Sequence, residues 1–250
     1  MIFCNLKGGL GNMLFQVAAT FEFSRKKNVD CSFPNLNSHL FYLENERNFN
    51  DKLTNTEHYR QFFKNLKTEQ YSNDTPIIKF PFHYKNIEVP NTCIIDGFFQ
   101  SEKYFIDSRK KILNLFPNRE KINKVSIHVR RGDYTRKNKF HNLLTFDYYQ
   151  NAIEYFPNER FIVFSDDLEW CKKKFVGERF SFYKGVNDLE DLFTMSSCDH
   201  NIIANSSFSW WAAWINMNKN KKVIAPKQWV GPSLSHLDTS DLQCDSWIQL

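Results

Sequence analysis

The chain has no uninterrupted apolar run of the length, about 18 residues, that a membrane-spanning helix needs. It has no D-x-D triplet, so the usual acidic clamp for a divalent ion is missing. Its six cysteines (Cys4, Cys31, Cys93, Cys171, Cys198, Cys244) stand far apart with no C-x-x-C pair, and read as reduced thiols instead of a disulfide framework or zinc site. The seven histidines (His39, His58, His83, His128, His141, His200, His236) show no metal-ligand spacing. No G-x-S-x-G elbow is present, which removes the common serine-hydrolase layout. No charged segment followed by an apolar one precedes the opening MIFCNL, so a cytoplasmic setting is expected, with a peripheral place at the inner membrane face as a further expectation.

Hydrophobic residues make up 42% of 250, with 25 phenylalanines, so core-forming material is ample and a folded chain is expected. The net charge of +5 is spread along the chain. A nucleic-acid binder would concentrate it in a patch, so no nucleic-acid partner is expected. A polyanionic ligand of small size fits this balance.

Strand-like runs occur at Ile2–Leu6, Val29–Phe33 and Thr92–Asp96, with a helix expected from Asn12 to Lys26 and another from Ser101 to Phe116. The loop between the first strand and helix reads KGGLGN, residues 7–12. It lacks the Lys-Ser/Thr of a phosphate loop, and Leu14 stands where the dinucleotide fingerprint has its third glycine. Two readings remain for it, an anion-facing loop or a tight turn that needs glycine. Residues 34–90 are broken by Pro34, Pro76, Pro81 and Pro90 and predict only short helices, one near Thr56–Lys67. From Val125 onward strands alternate with helices. Strands are expected at Val125–Val129, Phe161–Phe164, Phe180–Tyr183, Asn201–Ala204 and Val223–Ala225, with helices between them. That alternation predicts a parallel α/β sheet.

In such sheets ligands sit beyond the carboxyl ends of the strands. The residues falling there are His128 to Asp133, then Ser165, Asp166 and Asp167, then Lys184 and Gly185, then Asn205, Ser206, Ser207 and Phe208. Arginine forks suit phosphate oxygens, and a helix start adds N–H donors. The aspartates serve either as helix caps or as acceptors for a base or ribose. Together these ends suit a nucleoside diphosphate. Trp210, Trp211 and Trp214 lie at helical spacing and are expected in the core.

Four motifs, KGGLGNMLFQVAATF (7–21), HVRRGDY (128–134), FSDDLEW (164–170) and IIANSSFSWWAAWIN (202–216), resemble glycosyltransferase family 11, the α-1,2-fucosyltransferases that use GDP-fucose. The resemblance implies a GT-B-like fold, two Rossmann-type domains facing a cleft. It implies an acceptor-side domain at 1–120, a GDP-sugar-binding domain at 121–228 and a C-terminal tail, 229–250, packing back on the first. It implies inverting transfer of L-fucose to a galactoside hydroxyl (O2) of an oligosaccharide or lipid-linked glycan, without a metal or other cofactor. Arg130 then holds the donor β-phosphate, with Arg131 as companion and His128 near the nucleotide. Asn12 faces the phosphate and sugar. Asp166 or Asp167 reads guanine or ribose, and Ser206 and Ser207 start the helix at the diphosphate. Asp133 is the carboxylate available within the arginine motif, either as base or as an internal partner of the arginines. The alternatives are a GDP-sugar or glycan binding protein without catalysis, and a transferase for another GDP-deoxyhexose. Met13 departs from the family's usual glutamine and is expected to pack.

Overall fold

The computed structural model describes residues 1–45 and 56–250, so part of the 34–90 segment, residues 46–55, lies outside the described residues. The chain forms two compact units, residues 1–115 with 238–242, and residues 116–237 with 243–250.

The first unit holds a four-stranded sheet in the order β2-β1-β4-β3, every pair parallel. Its strands are β1 (Ile2–Phe3), β2 (Cys31–Ser32), β3 (Ile77–Lys79) and β4 (Cys93–Asp96). Helix α1 (Leu10–Lys27) begins inside the glycine loop, earlier than its apolar pattern suggests. Gly8 makes this possible with φ +80°, and a side chain there would collide with Asn12. The helix is buried on nearly every side; Met13 and Ala19 are fully enclosed. It stops at Asn28, whose left-handed backbone caps it. Short helices α2 (Leu36–Asn45) and α3 (Glu57–Phe62) follow.

The helix expected over Ser101–Phe116 is broken. Two 3-10 turns, Glu102–Tyr104 and Ile106–Ser108, lead into a short α4 (Arg109–Leu113). The break is at Phe105, where φ is −146°. This backbone drives the Phe105 ring wholly into the core, 5.9 Å from the Phe15 ring. Burying an aromatic ring outweighs the few tenths of a kcal/mol that continued helix adds per residue. Phe116 belongs to the other unit.

The second unit carries β5 (Ile122–Val129), α5 (Phe146–Ile153), β6 (Phe161–Ser165), α6 (Leu168–Lys174) and β7 (Phe180–Tyr183). It continues through α7 (Asp188–Ser196), β8 (Cys198–Ile202), α8 (Ser207–Ile215), β9 (Val223–Ala225) and β10 (Ile248–Gln249). The six strands are parallel, in the order β10-β9-β8-β5-β6-β7. Central strand β5 is enclosed on both faces, as parallel strands between helices are. Val125, Ile127 and Val129 join a core with Tyr149, Ala152, Phe161, Ile202 and Ile224. The alternate residues Ser126 and His128 are buried as well. Trp210, Trp211 and Trp214 are all enclosed, as their spacing predicts. Within residues 229–250, Asp238–Leu242 group with the first unit and Ile248–Gln249 forms the edge strand beside β9.

Candidate functional site

The second sheet reverses direction at β5. From it the chain runs outward through β6 and β7, then returns to the other side for β8 and β9. The carboxyl ends of β5 and β8 therefore flank a topological switch point, where open α/β sheets leave a crevice for ligands. One side of it is Arg130 to Tyr134, and the other is Asn205 to the start of α8.

At the first side, two arginines and three carboxylates interlock. Arg130 Nη2 donates to Asp133 Oδ1 at 2.5 Å, and its Nη1 lies 2.9 Å from Asp166 Oδ2. Arg131 Nε donates to Asp167 Oδ2 at 3.1 Å, and the Arg131 backbone N–H to Asp166 Oδ1 at 2.9 Å. The Arg131 guanidinium lies 4.2 Å from the centre of the Trp170 ring. Burial works against the charge on Arg130, but Asp166 and Asp133 outweigh it and raise its pKa above the ordinary value. Lys137 stands 3.9 Å from Asp133. The guanidinium N–H groups are oriented donors held by these carboxylates.

Asp167 caps α6 by accepting from Trp170 N–H at 3.1 Å, and its own N–H donates to Ser165 Oγ at 2.9 Å. Asp133 is buried and engaged with Arg130. Of the two readings for it, the geometry displays the internal ion pair. Gly132 is required for the whole arrangement: a Cβ there would lie 2.7 Å from Asp166 Oδ2. Gly132→Ala is expected to push the Asp166 carboxylate off Arg130 and cut activity at this site about 10- to 100-fold, the scale of an ångström of misplacement. Steady-state kinetics with thermal melts checks this, since the exposed turn costs little stability.

At the second side, Ser206 has extended backbone and occupies the cap position of α8, but its side chain makes no cap hydrogen bond. The first-turn N–H groups of this nine-residue helix remain for another acceptor, the arrangement that favours anions. Against this turn packs His128, its ring 5.5 Å from that of Phe208. His128 is buried and its Nδ1 has no hydrogen-bond partner. Burial, helped by Arg130, pushes its pKa down to about 3, so the imidazole is neutral at physiological pH. Asn205 donates through its Nδ2 to the carbonyls of Asn142 and Trp229, at 2.8 and 2.9 Å, while its buried Oδ1 has no partner.

The remaining candidate, Asn12, belongs to the first unit. It sits in the first turn of α1, where its Oδ1 accepts from Gln100 Nε2 at 2.7 Å. In the same loop Lys7 Nζ reaches Asp96 Oδ1 at 2.6 Å, and the Gly8 carbonyl accepts from His39 Nε2 at 2.8 Å. The structure thus gathers His128, Arg130, Arg131, Asp133, Asp166, Asp167, Asn205, Ser206 and Ser207 at the carboxyl edge of one sheet, with Ser165 at the end of β6. Tyr134, His141 and Trp170 complete that edge and are not among the sequence candidates. Two of them stand inside the motifs, so aromatic residues flanking a paired-arginine turn are the available signal. Among the described residues no three His, Cys, Asp or Glu side chains are grouped to hold a metal ion, and no helix is long and apolar enough to cross a membrane.

The family model for glycosyl transferase family 11 matches residues 1–249. The chain belongs to this family. Two Escherichia coli proteins are similar to it over nearly their whole length. The O-antigen biosynthesis glycosyltransferase WbnK is 31% identical over 98% of this chain and 99% of its own length. An alpha-1,2-colitosyltransferase is 29% identical over 100% of this chain and 99% of its own. The mouse galactoside 2-alpha-L-fucosyltransferase Sec1 is 32% identical over 36% of this chain and 28% of its own. As a family 11 member the chain is a glycosyltransferase with an α/β fold. Its motifs at 128–134 and 202–216 are the two sides of the switch-point crevice.

Proposed function

We propose that this family 11 glycosyltransferase moves L-fucose from GDP-fucose to a galactoside hydroxyl, O2 of a terminal residue, in a glycan of the lipopolysaccharide or capsule type. The observation that carries the reading is that Arg130 and the open start of α8 follow the neighbouring strands β5 and β8, with the unpartnered Nδ1 of His128 at the end of β5. This is donor chemistry for a diphosphate. In the displacement, the acceptor oxygen bonds to the anomeric carbon as the bond from that carbon to the β-phosphate oxygen breaks. GDP leaves with the electron pair, and the acceptor proton goes to a base. Arg130, Arg131 and the α8 N–H groups stabilise the charge that develops on the leaving diphosphate, in place of a metal ion. Asp133, Asp166 and Asp167 hold the two arginines in place for this. A cytoplasmic enzyme resting at the inner membrane face, with a lipid-linked acceptor, fits the same scheme.

A second reading has its own support. The full-length similarity to an alpha-1,2-colitosyltransferase favours a different GDP-deoxyhexose as donor. Incubating the protein with each GDP-deoxyhexose and a galactoside, with EDTA present, and measuring GDP release against transferred sugar decides between them. Transfer from GDP-fucose at the higher kcat/KM supports the first reading. A preference for a GDP-colitose donor overturns it, and GDP binding without transfer from either donor returns the protein to the class of sugar-nucleotide binders.

A further inference from the structure

We propose that Tyr134 is a positioning residue that fixes Arg130 relative to the start of α8, an inference that rests on the donor-site reading above. Tyr134 touches both sides of the crevice. Its ring lies 5.5 Å from the Arg130 guanidinium carbon, and its hydroxyl donates to the Asn205 carbonyl at 3.1 Å, directly before the α8 cap. A cation beside an aromatic face is held by the ring quadrupole, and more firmly where water is excluded. Tyr134 is 9% exposed. Burial also pushes its pKa up to about 12, so the hydroxyl remains a donor throughout the working pH range.

The ring is itself braced. His141 stacks on it with centroids 4.2 Å apart and planes only 6° from parallel. The next residue, Asn142, gives its carbonyl to Asn205 Nδ2 at 2.8 Å. The His141 segment is anchored in turn by an isolated bridge to Val230. At Gly231 a Cβ would meet the Lys139 carbonyl oxygen at 2.6 Å, so close approach of this backbone needs glycine. The 139–142 segment thus grips Tyr134 and Asn205 together. A diphosphate bridging Arg130 and the α8 N–H groups needs those donors at a fixed spacing. Neither the Asp133 nor the Asp166 contact ties Arg130 to the α8 side; the Tyr134 hydroxyl does.

The test is GDP binding to the full-length protein by calorimetry, with thermal melts, for wild type, Y134F, Y134L, R130K and R130K/Y134L. Y134L, which removes both ring and hydroxyl, is expected to weaken GDP about 10-fold. Y134F keeps the ring and loses only the hydroxyl bond, so it should recover most of that loss and remain about 3-fold weak. In the R130K background, where the planar guanidinium is gone, adding Y134L should cost less than about twofold. A core residue without a positioning role would give the same loss in both backgrounds, and that result overturns the proposal. So does a folded Y134L with GDP affinity within twofold of wild type. If Y134L fails to fold, Y134F with unchanged GDP affinity refutes the tie through the hydroxyl. Wild type that does not bind GDP refutes the donor-site reading itself, while wild type that binds normally beside unaffected Tyr134 variants refutes only the positioning role.

Discussion

Arg130→Ala is expected to lower donor kcat/KM by at least about 10²- to 10³-fold, the range seen when one well-placed charge donor is removed from a transition state. The local charge makes the loss larger than deletion of a donor alone. Wild-type Arg130 sits between Asp133 at 2.5 Å and Asp166 at 2.9 Å. Alanine leaves those carboxylates facing the position proposed for the diphosphate, and repulsion replaces attraction. Asp133, 8% exposed, also loses its main partner, at a stability cost of about 1–3 kcal/mol. Lys137, 3.9 Å away, limits that cost, so the variant should fold. Arg130→Lys keeps the charge, but one ammonium cannot serve two carboxylates and a phosphate from the same fork. Its kcat/KM should fall between the two. A triple variant, R130A/D133N/D166N, should bind GDP better than R130A because the repulsion is gone. Turnover of R130A within a few-fold of wild type would end the assignment of Arg130 to the leaving group.

How far the sequence discloses this arrangement depends on the range of the forces involved. The strand and helix order of the second unit is readable because each segment carries its own periodicity, and β7 lies where its pattern puts it. The break at Phe105 is not readable. Residues 101–116 favour a helix locally, and burial of Phe105 against residues distant in the chain, Phe15 among them, sets the non-helical backbone there. Edge strand β10 escapes for a related reason: two residues carry no period, and their partner β9 is 24 positions away at Ile248↔Ile224.

For the site, residue types and strand ends are enough to select the arginine turn, the Ser-Asp-Asp end and the α8 start. Their partnerships are not legible. Nothing in the order Asp166-Asp167 says that the first holds Arg130 and the Arg131 backbone while the second caps α6 and holds Arg131 Nε. That division depends on β5 and β6 pairing in register, with Val129 opposite Ser165. Tyr134 and His141 escape a reading of the sequence because no single helix or strand carries both: Tyr134 lies in the 3-10 turn Asp133–Thr135, while His141 is held by a bridge to the distant Val230. Asn12 is legible as a loop residue, and its Gln100 partner comes from a segment 88 residues later.

His128 supplies the second large effect, and it concerns stability in acid. Its alternation with Ile127 and Val129 along β5 marks a strand position, while the burial that sets its chemistry comes from the helices covering the sheet. Its folded pKa is pushed down to about 3 by burial and by Arg130, against about 6.5 for an unfolded histidine. Between those values the unfolded chain binds a proton at this site and the folded chain does not. Stability therefore stands in full above pH 6.5 and is lost as pH falls toward 3, at about 1.4 kcal/mol per pH unit. From about pH 6.5 to 5 this one residue should remove about 2 kcal/mol. His141 and His200, also held down by burial, add to the same trend. Asp191 opposes it, because burial raises its carboxyl to about 6 and the folded state takes that proton first. A single wild-type titration mixes these contributions, and a comparison with His128→Phe separates them. Phenylalanine retains a ring against Phe208 and removes the titrating group. Urea unfolding at about pH 7 and pH 5 should show the wild type losing about 2 kcal/mol more than the variant across the interval. Equal losses would mean that His128 takes its proton in the folded state, and that its ring is neither neutral nor shielded at the foot of the α8 helix.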